Sequence, residues 1–237
     1  MNRILFESSE IADGVATCSD ARAEHILSVL HGEVGQILKT GEIDGRIGTG
    51  EIVSIEGQTV SIRVSHTEES LQPWCDLVLA PPRPRVMKRL LPQLATLGVG
   101  TIVLVGAKKV EKDFWGATLL KEENYRPLLV DGLMQSGTSA LPRIETRRNF
   151  RAFVRDELDA AFPTANRVVA HPYGASARGA SAADGGRLLL AVGPEGGWTD
   201  EEVELLESRG FARYSLGRRI LRTDTALVAL VSRLCLG

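Results

Sequence analysis

The chain is poor in cysteine and in aromatic residues, and it has no long apolar run. Its 237 residues include three isolated cysteines, an odd number, and only 5% aromatic residues. This pattern argues against a disulfide or cysteine-based zinc framework and indicates a reducing compartment. No apolar run approaches the length of a membrane helix, and the first residues lack the apolar core of a signal peptide. We therefore expect a cytoplasmic protein with no membrane partner and no metal.

A strong net charge is also missing, because the formal charge is only -2. Phosphate recognition needs a basic surface, so the total charge by itself argues against a nucleic-acid partner. The basic residues are nevertheless clustered along the chain, which favours RNA binding, although solvated faces and ion pairs would also explain any single cluster. The clusters are Arg83, Arg85, Lys88 and Arg89; Lys108, Lys109 and Lys112; and Arg143, Arg147, Arg148, Arg151 and Arg155.

The two parts of the chain have different patterns. Residues 51–55 and 59–64 alternate between apolar and polar residues on either side of Gly57, which predicts a small antiparallel β-barrel domain over residues 1–70. From residue 71 to 237, apolar strands alternate with amphipathic helices, as in an α/β domain with a parallel sheet. Residues 174–186, rich in Ala, Ser and Gly, are predicted to form a loop.

Two glycine-containing loops near the end of the chain are the main functional signal. The apolar run Leu188–Val192 predicts a buried strand that leads into Gly193-Pro194-Glu195-Gly196-Gly197, and Thr199 with Glu202 predicts a capped helix after it. A strand over 211–216, a loop from Gly217 and a helix capped by Thr223 follow. Ligands bind beyond the carboxyl ends of such strands, although a pair of tight turns is the alternative.

These residues resemble the RsmE family of ribosomal RNA methyltransferases. The resemblance rests on the first glycine loop, on Ser215-Leu216-Gly217 and on the run from Ile220 to Ala226. It implies a trefoil-knotted α/β domain of the SPOUT superfamily preceded by a PUA-like β-barrel, and a homodimer. It also implies S-adenosylmethionine as cofactor and methylation of N3 of a uridine in 16S rRNA, with the RNA or the small ribosomal subunit as partner.

The resemblance also assigns roles to residues of this sequence. The resemblance points to His25 in the N-terminal helix as an RNA contact, and the clustering of charge and the guanidinium chemistry add Arg83, Arg85, Arg89 and Arg222 to the expected RNA contacts. The family's usual basic and acidic residues are replaced here by His31, Gln93 and Thr96. The residues implied to line the cofactor site, mostly through backbone groups, are Ala170, His171, Gly193, Gly196, Gly197, Ser215, Leu216, Gly217, Ile220 and Leu221.

The expected chemistry suggests two catalytic residues. Uracil N3 carries a proton in the neutral base, so a group that favours the anion should assist methylation. A guanidinium stays charged and has fixed donors, which makes Arg222 the candidate for stabilising negative charge on the uracil oxygens. Glu195 could accept a proton or only orient its loop, and Asp224 could be a partner of a helix dipole.

Three functional alternatives remain open on the sequence. The same fold could modify another RNA position, or it could be a non-catalytic RNA-binding module. A nucleotide-binding protein that uses the glycine loop for phosphates is disfavoured, because Trp198 and Thr199 follow Gly197 where a phosphate loop needs Lys and Ser or Thr.

Overall fold

The computed structural model describes residues 2–173 and 187–235, so the loop predicted over 174–186 lies outside the described residues. The chain forms two compact units, one of residues 1–72 with 130–141 and one of residues 73–129 with 142–237. The sequence placed the division at residue 70 and gave no sign that residues 130–141 belong with the first unit.

The first unit is built on a six-stranded sheet. The order of its strands is β1-β4-β5-β6-β3-β2, and all pairs are antiparallel except β1 with β4. Alternate residues of β6, such as Val60 and Ile62, are buried, which explains the period-two pattern of the sequence. The small PUA-like β domain is thus confirmed as a curled half-barrel. The elements are β1 Ile4–Phe6, β2 Ile11–Ala12, β3 Val15–Cys18, α1 Ala21–Ser28, β4 Ile37–Glu42, β5 Ile47–Glu56 and β6 Thr59–Glu68.

The second unit contains a six-stranded sheet in which every pair of neighbours is parallel. Its strands are β7 Cys75–Leu79, β8 Val99–Val105, β9 Arg143–Arg147, β10 Asn166–Ala170, β11 Leu188–Val192 and β12 Ala212–Tyr214, in the spatial order β12-β10-β11-β7-β8-β9. Every residue of β7 and β11 is buried, because helices cover both faces of such a sheet. The predicted parallel α/β domain is confirmed, and the trefoil knot stays a prediction of the resemblance.

Helices join these strands. The short helix Phe150–Ala152 continues through a π-helical turn, Phe153–Glu157, into the helix Leu158–Ala161. Short 3₁₀ helices lie at Ser8–Glu10, Lys112–Gly116 and Thr118–Leu120. The remaining helices are α2 Pro84–Thr96, α3 Glu122–Ser136, α4 Phe150–Ala152, α5 Leu158–Ala161, α6 Asp200–Glu207 and α7 Thr223–Cys235.

The local signals at the end of the chain were largely correct. Thr199 caps α6 and forms the predicted capping box with Glu202. The strand β12 is shorter than predicted, because only residues 212–214 pair with β10. Thr223 is the first residue of α7 rather than the residue before it.

Candidate functional site

A cavity of about 450 Å³ lies at the carboxyl edge of the parallel sheet in the second unit. It is enclosed by the segments that follow β10, β11 and β12, three strands that are neighbours in the sheet. The carboxyl ends of parallel strands meet at one edge, so segments that are far apart in sequence converge there. Each residue implied by the resemblance to line the cofactor site lies on this cavity: Ala170, His171, Gly193, Gly196, Gly197, Ser215, Leu216, Gly217, Ile220 and Leu221.

The glycine loop after β11 needs its glycines for two different reasons. Gly197 has a φ of +69°, in the left-handed region that other residues rarely adopt. At Gly196, an added Cβ would lie 3.0 Å from Cδ of Lys109, whose Nζ donates a 2.8 Å hydrogen bond to the Gly196 carbonyl. The loop is therefore closely packed against a lysine side chain from the segment after β8.

A buried carboxylate holds the segment of Lys109 in place. Glu202 in α6 is 5% exposed, and its two oxygens accept hydrogen bonds from the backbone N–H groups of Lys108 and Thr199, each at 2.8 Å. One side chain thus joins the loop after β8 to the start of the helix that follows the glycine loop. The cavity wall is consequently fixed from two sides.

Glu195 also lies on the cavity, and its carboxylate already has a partner. Its Oε1 accepts a hydrogen bond of 3.1 Å from the backbone N–H of Arg83, the residue just before α2. This contact ties the glycine loop to the start of α2, as expected for a residue that orients the loop.

Arg222 is not among the residues that line the cavity, although Leu221 and Thr223 on either side of it are. Its side chain is 71% exposed and forms an ion pair of 3.3 Å with Asp224. Asp224 also pairs with Arg89 at 3.4 Å. The guanidinium is therefore held beside the segment that closes the cavity.

The other predicted RNA contacts lie in different places. Arg83, Arg85 and Arg89 are all exposed at or near the start of α2, and a hydrogen bond from Arg83 to Glu111 raises the pKa of Arg83. His25 belongs to α1 in the first unit. Its Nε2 is buried and has no hydrogen-bond partner among the described residues.

Several other residues line the cavity although the sequence did not predict them to lie there. Lys109 comes from a loop 87 positions before Gly196, and only the rule that parallel strands end at a common edge could have placed the two together. Trp198 is buried and packs against Phe150 with ring centroids 5.2 Å apart. Further residues on the cavity include Pro172, Tyr173, Asp200, Tyr214 and Arg219.

Within residues 2–173 and 187–235, no group of three or more His, Cys, Asp or Glu residues is placed to hold a metal ion. No helix in those ranges has the length and apolar character needed to span a membrane.

Comparison with known proteins assigns the family. The family described as "RNA methyltransferase domain" matches residues 68–235. Ribosomal RNA small subunit methyltransferase E of Treponema pallidum is 32% identical over 236 residues, which cover 97% of this chain and 88% of that protein. The chain belongs to this methyltransferase E family.

Solved structures share the fold of the methyltransferase E family. A ribosomal RNA small subunit methyltransferase E from Neisseria gonorrhoeae, bound to S-adenosyl methionine, has a TM-score of 0.77 at 21% identity and covers 98% of this chain and 96% of its own. A putative methyltransferase from Legionella pneumophila, in complex with the bound cofactor SAM, has a TM-score of 0.75 at 22% identity, with coverages of 99% and 98%.

Proposed function

We propose that this protein transfers a methyl group from S-adenosylmethionine to ribosomal RNA of the small subunit. The observation that carries the proposal is the cavity at the ends of β10, β11 and β12, in a chain of the methyltransferase E family. Two relatives of the same fold are described as bound to S-adenosylmethionine.

The cavity suits this cofactor in size and in the character of its walls. Small-molecule sites usually enclose roughly 300–1,000 Å³ and are mostly apolar with a few polar groups. Leu216, Ile220 and Leu221 supply apolar walls here, and the two glycine-containing loops leave backbone N–H and C=O groups within reach of a ligand. These loops would hold the adenine, while Ala170 and His171 complete the wall.

The residues of the chain then act mainly by positioning. When bound, the cofactor supplies an electrophilic methyl group, so the protein has to align the acceptor atom with that group and exclude water from it. The contacts from Lys109 to Gly196 and from Glu195 to Arg83 fix the glycine loop in one conformation. We assign Glu195 to this orienting role, because its Oε1 is engaged by the Arg83 N–H group.

The acceptor that we propose is N3 of a uridine in 16S rRNA. Its proton passes to solvent, and the negative charge that is then left on the uracil oxygens is stabilised by a fixed guanidinium. Arg222 adjoins Leu221 and Thr223 of the cavity wall, and its ion pair with Asp224 restrains it there. We propose that it stabilises this charge and contacts the RNA.

We further propose a homodimer and a cytoplasmic location. The homodimer is inferred from the resemblance to the RsmE family. Cys18 is buried, and burial raises the pKa of its thiol to about 11. An unreactive thiol suits a reducing compartment. Light scattering of the purified protein measures the dimer, and a monomeric mass would contradict it.

The test of the proposed function is methyl transfer from labelled cofactor to small ribosomal subunits that lack the modification, followed by analysis of the nucleosides. We expect label in N3-methyluridine. Label in another nucleoside would change the assigned acceptor atom, but the protein would still be a methyltransferase. If the folded protein binds RNA but no label is transferred, the proposal that it is an enzyme would be wrong, and a non-catalytic RNA-binding module would replace it.

A further inference from the structure

Two groups of basic residues in the second unit differ in their partners. Most arginines between β9 and β12 are neutralised by carboxylates of the same unit. The two charges of such a pair largely cancel at a distance, so a paired arginine attracts phosphate less than an unpaired one does. The pairs are Arg147 with Glu145 and Glu157, Arg151 with Glu201, Arg167 and Arg209 with Asp159, and Arg213 with Glu207.

A second group, at the ends of β8 and β9, has no such neutralisation. Lys108, Lys112 and Arg148 are exposed, and none of them forms an ion pair with a carboxylate among the described residues. Glu111 in the same segment is engaged by Arg83 at 2.9 Å. Asp113 is the nearby exposed acid that remains, so cations are in excess.

An aromatic residue lies within this cationic group and orients one of its members. The Arg148 guanidinium lies 5.8 Å from the centre of the Trp115 ring, and its Nη2 donates a 3.4 Å hydrogen bond to the Trp115 carbonyl. Trp115 in turn packs edge-on against the buried ring of Phe114, with centroids 5.4 Å apart. Arg148 is therefore held against the Trp115 indole, which is itself packed against Phe114.

This group is continuous with the cavity. The Gly106 N–H donates a 3.1 Å hydrogen bond to the Arg147 carbonyl, which joins the end of β8 to the end of β9. Lys109, one residue after Lys108, lines the cavity. Because β9, β8, β7 and β11 are successive neighbours, three strand spacings of ~4.8 Å separate the ends of β9 and β11 by roughly 14 Å.

We propose that Lys108, Lys112, Trp115 and Arg148 form an RNA-contact surface, the β8–β9 edge, that binds the single-stranded segment flanking the target nucleotide. The lysines and Arg148 meet phosphates, and the Trp115 ring, against which Arg148 is oriented, stacks a base. Unpaired cations interleaved with an aromatic ring are the combination that single-stranded nucleic acid requires. The inference rests on the proposed function, since it assumes an RNA substrate.

The test compares RNA affinity with cofactor affinity in the same preparations. A fluorescently labelled, uridine-containing single-stranded RNA is titrated by anisotropy at several salt concentrations, and S-adenosylmethionine is titrated by calorimetry. Trp115→Ala should weaken RNA binding by about 5- to 150-fold, the usual effect of losing one stacked base. Arg148→Ala should weaken it and reduce the salt slope by ~0.7, as expected for one phosphate contact on a single strand.

Two conservative variants and one matched control sharpen this test. Trp115→Phe retains a ring and should restore most of the affinity, and Arg148→Lys should retain the salt slope but not the full affinity. The control is Arg151→Ala, which removes another exposed arginine, one that is paired with Glu201. Cofactor affinity should be unchanged in all of them.

The experiment separates the RNA-surface inference from the proposed function. If Trp115→Ala and Arg148→Ala bind RNA as well as Arg151→Ala does, the β8–β9 edge is not an RNA surface. The proposed function would still stand if the unmodified protein methylates RNA. If Trp115→Ala proves unfolded by circular dichroism, the Trp115→Phe and Arg148 variants decide the inference without it.

Discussion

Replacement of Glu202 by alanine should destabilise the second unit far more than replacement of its neighbour Glu201. Glu202 is 5% exposed and accepts two backbone hydrogen bonds, from Lys108 and Thr199, each at 2.8 Å. A hydrogen bond to a charged group contributes roughly 1.5–3 kcal/mol, so the two together contribute ~3–6 kcal/mol. Because water can reach both donors near the surface once the carboxylate is gone, we expect the lower end of this range.

The assay is thermal unfolding monitored by circular dichroism. A loss of about 3 kcal/mol should lower Tm by roughly 6–12 °C in a protein of this size. Glu202→Gln keeps one acceptor oxygen and should show an intermediate loss. We also expect weaker binding of S-adenosylmethionine by Glu202→Ala, since the loop that carries Lys109 loses its anchor.

The control, Glu201→Ala, removes an exposed carboxylate whose ion pair with Arg151 is worth less than ~1 kcal/mol. Glu201 and Glu202 are adjacent in the same helix, so helix propensity is matched between the two variants. Equal Tm values for Glu201→Ala and Glu202→Ala would refute the reasoning that Glu202 anchors two loops.

Three further perturbations test other parts of the account. Gly106→Ala should cost about 1–3 kcal/mol in urea unfolding, because its Cβ would overlap the backbone carbonyl oxygen of Arg148. Arg222→Ala should lower the rate of methyl transfer far more than cofactor affinity, as measured by single-turnover kinetics and calorimetry. The hydrogen bond from Arg22 lowers the pKa of Glu10 in the folded protein. The ionised Glu10 therefore contributes its full stabilisation of the fold above the unfolded-state pKa of about 4.3, and this contribution is lost as pH falls through the lowered folded-state pKa. The free energy of unfolding, measured against pH, should therefore fall on the acid side, and Arg22→Met should remove this fall.

Each of these expectations has an outcome that contradicts it. Gly116→Ala is the control for Gly106, since nothing lies within 4 Å of a Cβ at Gly116, and equal losses would remove the claim of close backbone approach. Equal losses of rate and cofactor affinity would deny Arg222 its assigned role. An unchanged acid-side profile in Arg22→Met would show that this ion pair does not couple to folding.

The sequence predicted the elements that depend on local signals. The strand β11 is a continuous apolar run because it is buried on both faces, and the start of α6 carries its own capping box. The structure brings the residues after β10, β11 and β12 together on one cavity, at the strand ends where the two glycine-containing loops indicated a ligand site.

Features that depend on contacts between distant parts of the chain were not predicted. Lys109 reaches Gly196 only because β8 and β11 end at the same edge of the sheet, and no local pattern reports that register. Residues 130–141 belong with the first unit, although α3 continues across residue 130 without a break. Which basic residues are neutralised was also hidden, because the partner of Arg151 lies 50 positions away.

The central claim is that the cavity binds S-adenosylmethionine, and calorimetric titration of the purified protein tests it most directly. The matched variant is Gly196→Val, whose side chain would occupy the space between the loop and Lys109. The fold should survive, because the atoms that it meets belong to a flexible lysine. We predict one cofactor per chain for the unmodified protein and no measurable binding for folded Gly196→Val. Equal affinity in the two proteins, or no binding by the folded unmodified protein, would contradict the account.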